Sequence, residues 1–114
     1  MPNWDNIGTD AKWVARELER LEVDLAEAEK LVDYYLFKGC SEEAMLRYLD
    51  TLAQNPPPRS RRSQRHYRNL RDIWQRWNTT LTGVDKARAW GWAVRSAKAS
   101  RVEARLGAKL RSER

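Results

Sequence analysis

The residues best equipped for chemistry lie in one run, Arg59 to Trp77, which reads RSRRSQRHYRNLRDIWQRW. Seven of its nineteen residues are arginine and only Asp72 is acidic. A guanidinium stays charged at any ordinary pH, so its chemistry is anion binding, often with two oxygens held at once. At helical spacing Tyr67, Leu70, Trp74 and Trp77 share one face, while Arg61, Arg65, Arg68 and Arg76 lie mainly off it. The run predicts a helix with an aromatic side and a cationic side, and a polyanion as the ligand of the latter. Further along, Arg88, Trp92 and Arg95 fall near one another, and Lys98, Arg101, Arg105 and Lys109 extend a cationic ridge. Trp92 points about 200° away from Trp90, which places it outside the core, available for stacking on a base or on a partner protein. The candidate nucleic-acid-binding residues are Arg59, Arg61, Arg62, Arg65, Arg68, Arg76, Arg88, Trp92, Arg95, Lys98, Arg101 and Arg105.

Catalytic readings find little support. His66 is the only histidine and Cys40 the only cysteine, so one chain cannot build a zinc site from Cys and His ligands. His66 sits among arginines, and Asp72 lies on another face, so an oriented general base is not expected. His66 is read as a surface or phosphate contact and Cys40 as an inert, partly buried residue. There is no Gly-rich phosphate loop, no Gly-x-Ser-x-Gly and no His-Glu-x-x-His. The chain is expected not to be an enzyme and to need no cofactor, metal or small-molecule substrate.

The formal net charge of +6 conceals an asymmetry. Residues 1–58 hold six Lys/Arg against twelve Asp/Glu, whereas residues 59–114 hold sixteen against four. Thirteen of those sixteen cations are arginine, which suits phosphate better than solubility alone would require. Two compatible explanations are a polyanionic ligand for the basic half and contact between acidic and basic halves of neighbouring copies. A chain of 114 residues suits one helical domain, and six tryptophans argue against disorder. No apolar run is long enough for a membrane span, and the opening residues lack the layout of a signal peptide, so a cytoplasmic protein is expected.

The elements that must carry these residues are all helical. Met1 to Gly8 reads as an irregular lead-in, with Trp4 and Ile7 tucked against the body. Thr9 or Asp10 then caps a long first helix to about Phe37. Ala11, Val14, Leu18, Leu21, Leu25, Ala28, Val32 and Tyr35 form a heptad-like seam about 40 Å long, with Glu17, Glu19, Glu22, Asp24, Glu27 and Glu29 on the outer face. Such a seam fits the central helix of an antiparallel bundle or a dimeric coiled coil. The chain holds enough further helix to cover it, which favours the bundle.

Gly39 reads as the left-handed residue after that helix, and Ser41 as the cap of a second, Glu42 to about Gln54, burying Met45, Tyr48, Leu49 and Leu52. Pro56–Pro58 ends it as a stiff spacer. Ser60 or Ser63 starts the arginine–aromatic helix, which fades at Asn78–Thr80. After a turn at Gly83, a last helix from about Asp85 could reach Leu110, burying Val84, Ala87, Trp90, Val94 and Ala97 and, less cleanly, Val102, Leu106 and Leu110. No stretch alternates like a strand. The expected fold is all-α, a bundle of about four helices with a long first one. The proline linker is too long and stiff for a helix-turn-helix, so backbone contacts without base readout are expected.

A small, arginine-rich helical chain with a basic face such as Arg61–Arg76 and a late segment such as KARAWGWAVRSAKA, Lys86 to Ala99, resembles the small subunits of multi-subunit (class 1) CRISPR effector complexes. The likeness is one of architecture over most of the chain, without a motif that can be matched residue by residue. It implies a ribonucleoprotein subunit, several copies of which stack head to tail along the guide RNA and its target strand, holding the backbone. Two rivals stand beside it. One is a phage- or plasmid-type DNA-binding accessory protein, the other a protein-interaction module, inhibitor or scaffold, whose arginines meet an acidic partner.

Overall fold

The computed structural model describes residues 2–55 and 63–112, and the described residues form five α-helices. They are α1 (Trp4–Arg20), α2 (Leu25–Phe37), α3 (Glu42–Gln54), α4 (Ser63–Arg76) and α5 (Gly83–Ser112), with no strand among them. The proline spacer Pro56–Pro58 and the candidate residues Arg59, Arg61 and Arg62 lie outside the described residues.

The expected long first helix is two helices. At its start, the lead-in is itself helical: the Asn3 side chain caps α1 by accepting a hydrogen bond from the Asn6 amide at 3.2 Å, so neither Thr9 nor Asp10 is the cap. Ile7 is fully buried, as the lead-in reading required, but Trp4 is 52% exposed. At the other end Glu22 adopts a left-handed φ of 51°. The Glu22 amide bonds to the Glu19 carbonyl at 3.2 Å and the Val23 amide to the Leu18 carbonyl at 3.3 Å. That pair of bonds, with Leu18 and Val23 packed together at zero exposure, is a Schellman stop. Asp24 then caps α2, accepting from the amides of Ala26 at 2.9 Å and Glu27 at 3.2 Å. The apolar spacing survives across the turn, since Ala11, Val14, Leu18, Leu25, Ala28 and Tyr35 are buried. Leu21, mid-seam, is only half-buried because it is the C-cap of α1, where the chain leaves the helix.

The next stop and start follow expectation. Gly39, at φ 66°, and Cys40, at φ 60°, close α2, with the Cys40 amide bonded to the Tyr35 carbonyl at 2.8 Å. Glycine suits the first of these because it carries no Cβ to clash in the left-handed region. The Ser41 hydroxyl caps α3 through the Ala44 amide at 3.1 Å, and Met45, Leu49 and Ala53 turn inward.

Packing organises these elements around α5, which lies most extensively along α1 and then α2, while α3 pairs with α4. Small residues make the α5 contact close: Ala89, Ala93 and Ala97 are fully buried beside Trp90 and Val94. A central aromatic cluster ties α2, α4 and α5 together. Trp74 lies 5.2 Å from both Tyr35 and Trp90, edge-on, and 5.6 Å from Trp77. Each indole N–H has an acceptor: Trp74 donates to Glu42 at 3.0 Å, Trp77 to Asp10 at 3.1 Å and Trp90 to the Ala28 carbonyl at 2.8 Å. Trp74, Trp77 and Trp90 are therefore core, where their bulk buries apolar area without orphaning a donor.

Four expected core positions on α5 are not core. Val84 is half exposed, and Val102, Leu106 and Leu110 are 52%, 55% and 66% exposed. The apolar stripe of the last turns of α5 is therefore left largely uncovered by the described residues. No described helix is long and apolar enough to cross a membrane.

Candidate nucleic-acid interface

The acidic and basic halves of the chain meet inside one molecule. Among the described residues four ion pairs join them: Glu17 with Arg76 at 2.9 Å, Asp50 with Arg71, Glu42 with Lys86 at 2.9 Å, and Glu29 with Lys98 at 2.5 Å. The acids expected on a solvated outer face include several internal anchors. Glu17 accepts from Arg20 and Arg76, which hold its carboxyl below the usual range. Glu27 accepts the Tyr67 hydroxyl at 2.9 Å, and burial followed by this bond pushes the phenol well above its ordinary range. Asp10 accepts from both Trp77 and Thr79.

Several candidate cations are thereby committed. Arg76 bonds Glu17 and Asp72 and lies 5.8 Å over the Trp13 ring. Arg88 bonds Asp85 at 2.8 Å and lies 5.7 Å over the Trp4 ring. Lys98 holds Glu29, and Arg95 lies close enough to Glu29 to help lower its carboxyl. Arg101, half-buried, donates to the Val23 carbonyl at 2.7 Å. It staples the turn between α1 and α2, a structural task that the ridge pattern did not suggest. The ridge expected from Arg88 to Arg105 is thus mostly a row of internal tethers. Arg105 remains exposed at its far end.

His66 is likewise structural. Its Nδ1 accepts the Asp24 amide at 3.2 Å, joining α4 to the start of α2. Trp92, the aromatic singled out for stacking, has one partner already: it lies 5.6 Å from Trp4 with the rings 16° apart, and is still 41% exposed.

What remains open is the N-terminal half of α4. Arg65 and Arg68 are exposed and make no ion pair with a described residue. They continue directly from Arg59, Arg61 and Arg62 in sequence. A helix N-terminus adds a positive field, so this end of α4 is suited to attract an anion. Beside it runs a polar cleft of about 530 Å³ between α3 and α4, lined by Gln54, Gln64, Arg68, Arg71 and Gln75 with Asp50 and Asp72. Arg71 is spoken for there, its buried Nε set against Asp50 without the alignment of a hydrogen bond. Among the described residues no group of three or more His, Cys, Asp or Glu side chains is placed to hold a metal ion.

Comparison with protein-family models, with curated proteins and with solved structures finds no match to this chain.

Proposed function

We propose that this chain is a non-catalytic nucleic-acid-binding protein that grips a sugar–phosphate backbone with the N-terminal half of α4 and reads no base sequence there. The observation that carries the reading is the contrast within one helix. Arg71 and Arg76 are neutralised by Asp50, Glu17 and Asp72, whereas Arg65 and Arg68 are exposed and free of described acids, next to three more arginines in sequence. Solubility alone gives no reason to set two unpaired arginines directly beside a run of three more in sequence.

The specific form of the proposal is a small subunit of a CRISPR ribonucleoprotein complex, bound to guide RNA and target strand, to other subunits and to further copies of itself. It draws support from the architecture and the arginine usage. Co-purification of the chain with the products of its neighbouring genes, followed by sequencing of bound nucleic acid, tests it. Short RNAs of uniform length sharing a repeat-derived end are the expected result. Heterogeneous duplex DNA would replace it with an accessory-protein role on DNA.

One observation favours a second reading, a protein-interaction module. Trp4, Leu36, Phe37, Val84 and Trp92 are all large, apolar and between 41% and 81% exposed, and apolar patches of that kind mark interaction sites.

A further inference from the structure

The cleft between α2 and α5 is mainly apolar. Leu36, Val84, Gly91 and Trp92 line it, together with the two cations Arg88 and Arg95. Gly91 carries the first clue. It lies mid-helix, where glycine weakens a helix relative to alanine. Yet a Cβ built on it would meet nothing within 4 Å, and its φ is not left-handed. Neither packing nor backbone geometry requires glycine here. What the missing side chain does is keep a recess open beside Trp92.

Trp92 itself is the second clue. Its indole is braced by Trp4, which in turn lies under the Arg88 guanidinium. These contacts hold a large apolar ring in place while leaving 41% of Trp92 exposed to water. The third clue is charge. Arg88 and Arg95 stand four residues before and three after Trp92, one turn to either side on the same face. Arg88 is paired only with Asp85 across an exposed contact, and such pairs exchange partners at little cost.

We infer that this cleft is a slot for one unpaired nucleobase of single-stranded nucleic acid, stacked beside Trp92 with Arg88 and Arg95 on the flanking phosphates. The inference rests on the nucleic-acid reading above but uses a different surface from the α4 backbone site. The cleft measures about 230 Å³, below the ~300–1,000 Å³ of sites that enclose drug-sized ligands. That suits a single flat ring better than the long trough a partner helix would need. An aromatic platform between cations is how single strands are held without sequence preference.

The test uses the full chain, with anisotropy titrations of a labelled oligouridylate and a labelled RNA duplex against wild type, Gly91→Leu, Trp92→Leu and the double variant Arg65→Ala/Arg68→Ala. Gly91→Leu puts bulk into the recess from a Cβ that meets no neighbour within 4 Å, and circular dichroism checks that the fold is kept. Gly91→Leu and Trp92→Leu are each expected to weaken oligouridylate binding roughly 5- to 150-fold, the equivalent of ~1–3 kcal/mol of base stacking, and to leave duplex binding unchanged. If both variants bind oligouridylate like wild type while the arginine variant weakens both probes, the slot is refuted and the backbone site stands. If wild type binds neither probe, both fall. If Gly91→Leu alters only sedimentation behaviour, the cleft is a protein interface and the slot is refuted.

Discussion

Replacing Glu42 by alanine removes one carboxylate on which three donors converge. Lys86 Nζ bonds both of its oxygens, at 2.9 and 3.0 Å, the Tyr35 hydroxyl bonds one at 2.9 Å, and Trp74 Nε1 the other at 3.0 Å. Lys86, Tyr35 and Trp74 are 7%, 1% and 3% exposed, and the ammonium lies 4.3 Å from the Trp74 ring centroid. Breaking a buried ion pair by deleting one partner costs ~3–5 kcal/mol, because the other charge is left uncompensated. The Glu42 side chain is itself 45% exposed, so water can enter where it stood, and the lower end, about 3 kcal/mol, is expected. At roughly 4 °C per kcal/mol for a domain of this size, the melting temperature should fall by about 12 °C. The reciprocal change, Lys86→Met, keeps the aliphatic stem over Trp74 and leaves Glu42 its two neutral donors and solvent. It should cost no more than about 1 kcal/mol. Glu43→Ala, which removes a first-turn charge from the same helix but only a surface pair with Arg47, controls for the helix dipole. Thermal and urea denaturation of the three variants and of Glu42→Ala/Lys86→Met measures these terms, the double variant being more stable than Glu42→Ala alone. Equal losses for Glu42→Ala and Lys86→Met, or a wild-type melt for Glu42→Ala, would refute the reasoning.

Two further predictions concern α1 and its ends. Glu22→Gly relieves a left-handed side chain worth ~1–2 kcal/mol and adds back roughly 0.5–1 kcal/mol of unfolded-chain entropy, so the urea midpoint should rise by the equivalent of about 0.5–1 kcal/mol at unchanged slope; a drop would show that Glu22 contributes a contact of its own. Glu17 is held below its ordinary value of 4.5 chiefly by its hydrogen bond to Arg20, with Arg76 adding to it. The folded state therefore prefers the carboxylate, and the stability this supplies, up to about 1 kcal/mol, is complete above that value and is lost as pH falls through the lower folded one. The stability gap between wild type and Glu17→Gln should be flat from neutral pH down to about 4.5 and close below it, and a gap that widens in acid would contradict this.

The legible parts of the fold were those with local punctuation. Ser41 with Glu42 and Glu43 at one end, and the approach to Pro56 at the other, bounded α3 to the residue, and Gly39 marked the stop before it. The break between α1 and α2 carries no glycine or proline. Leu18, Leu21, Leu25 and Ala28 keep their spacing because the turn returns Leu25 to the same core, so periodicity alone could not report it. Asp24 followed by Glu27, the pattern of a helix cap, was the one available signal. The arginine run was legible as composition, but which arginines stay free was not. Arg76 and Glu17 are 59 positions apart, and Lys98 and Glu29 are 69. Only tertiary packing decides such pairings. The same holds for Trp92, whose stacking partner Trp4 is far away in sequence.

The most direct test of the account is the salt dependence of RNA-duplex and DNA binding by wild type and Arg65→Ala/Arg68→Ala, both shown folded by circular dichroism. Each phosphate contact contributes ~0.7–0.9 to the slope of log affinity against log salt, so losing two should make the slope shallower by about 1.4–1.8 and weaken binding at every salt concentration. An identical slope and affinity for the two proteins would mean that the open end of α4 does not touch the backbone.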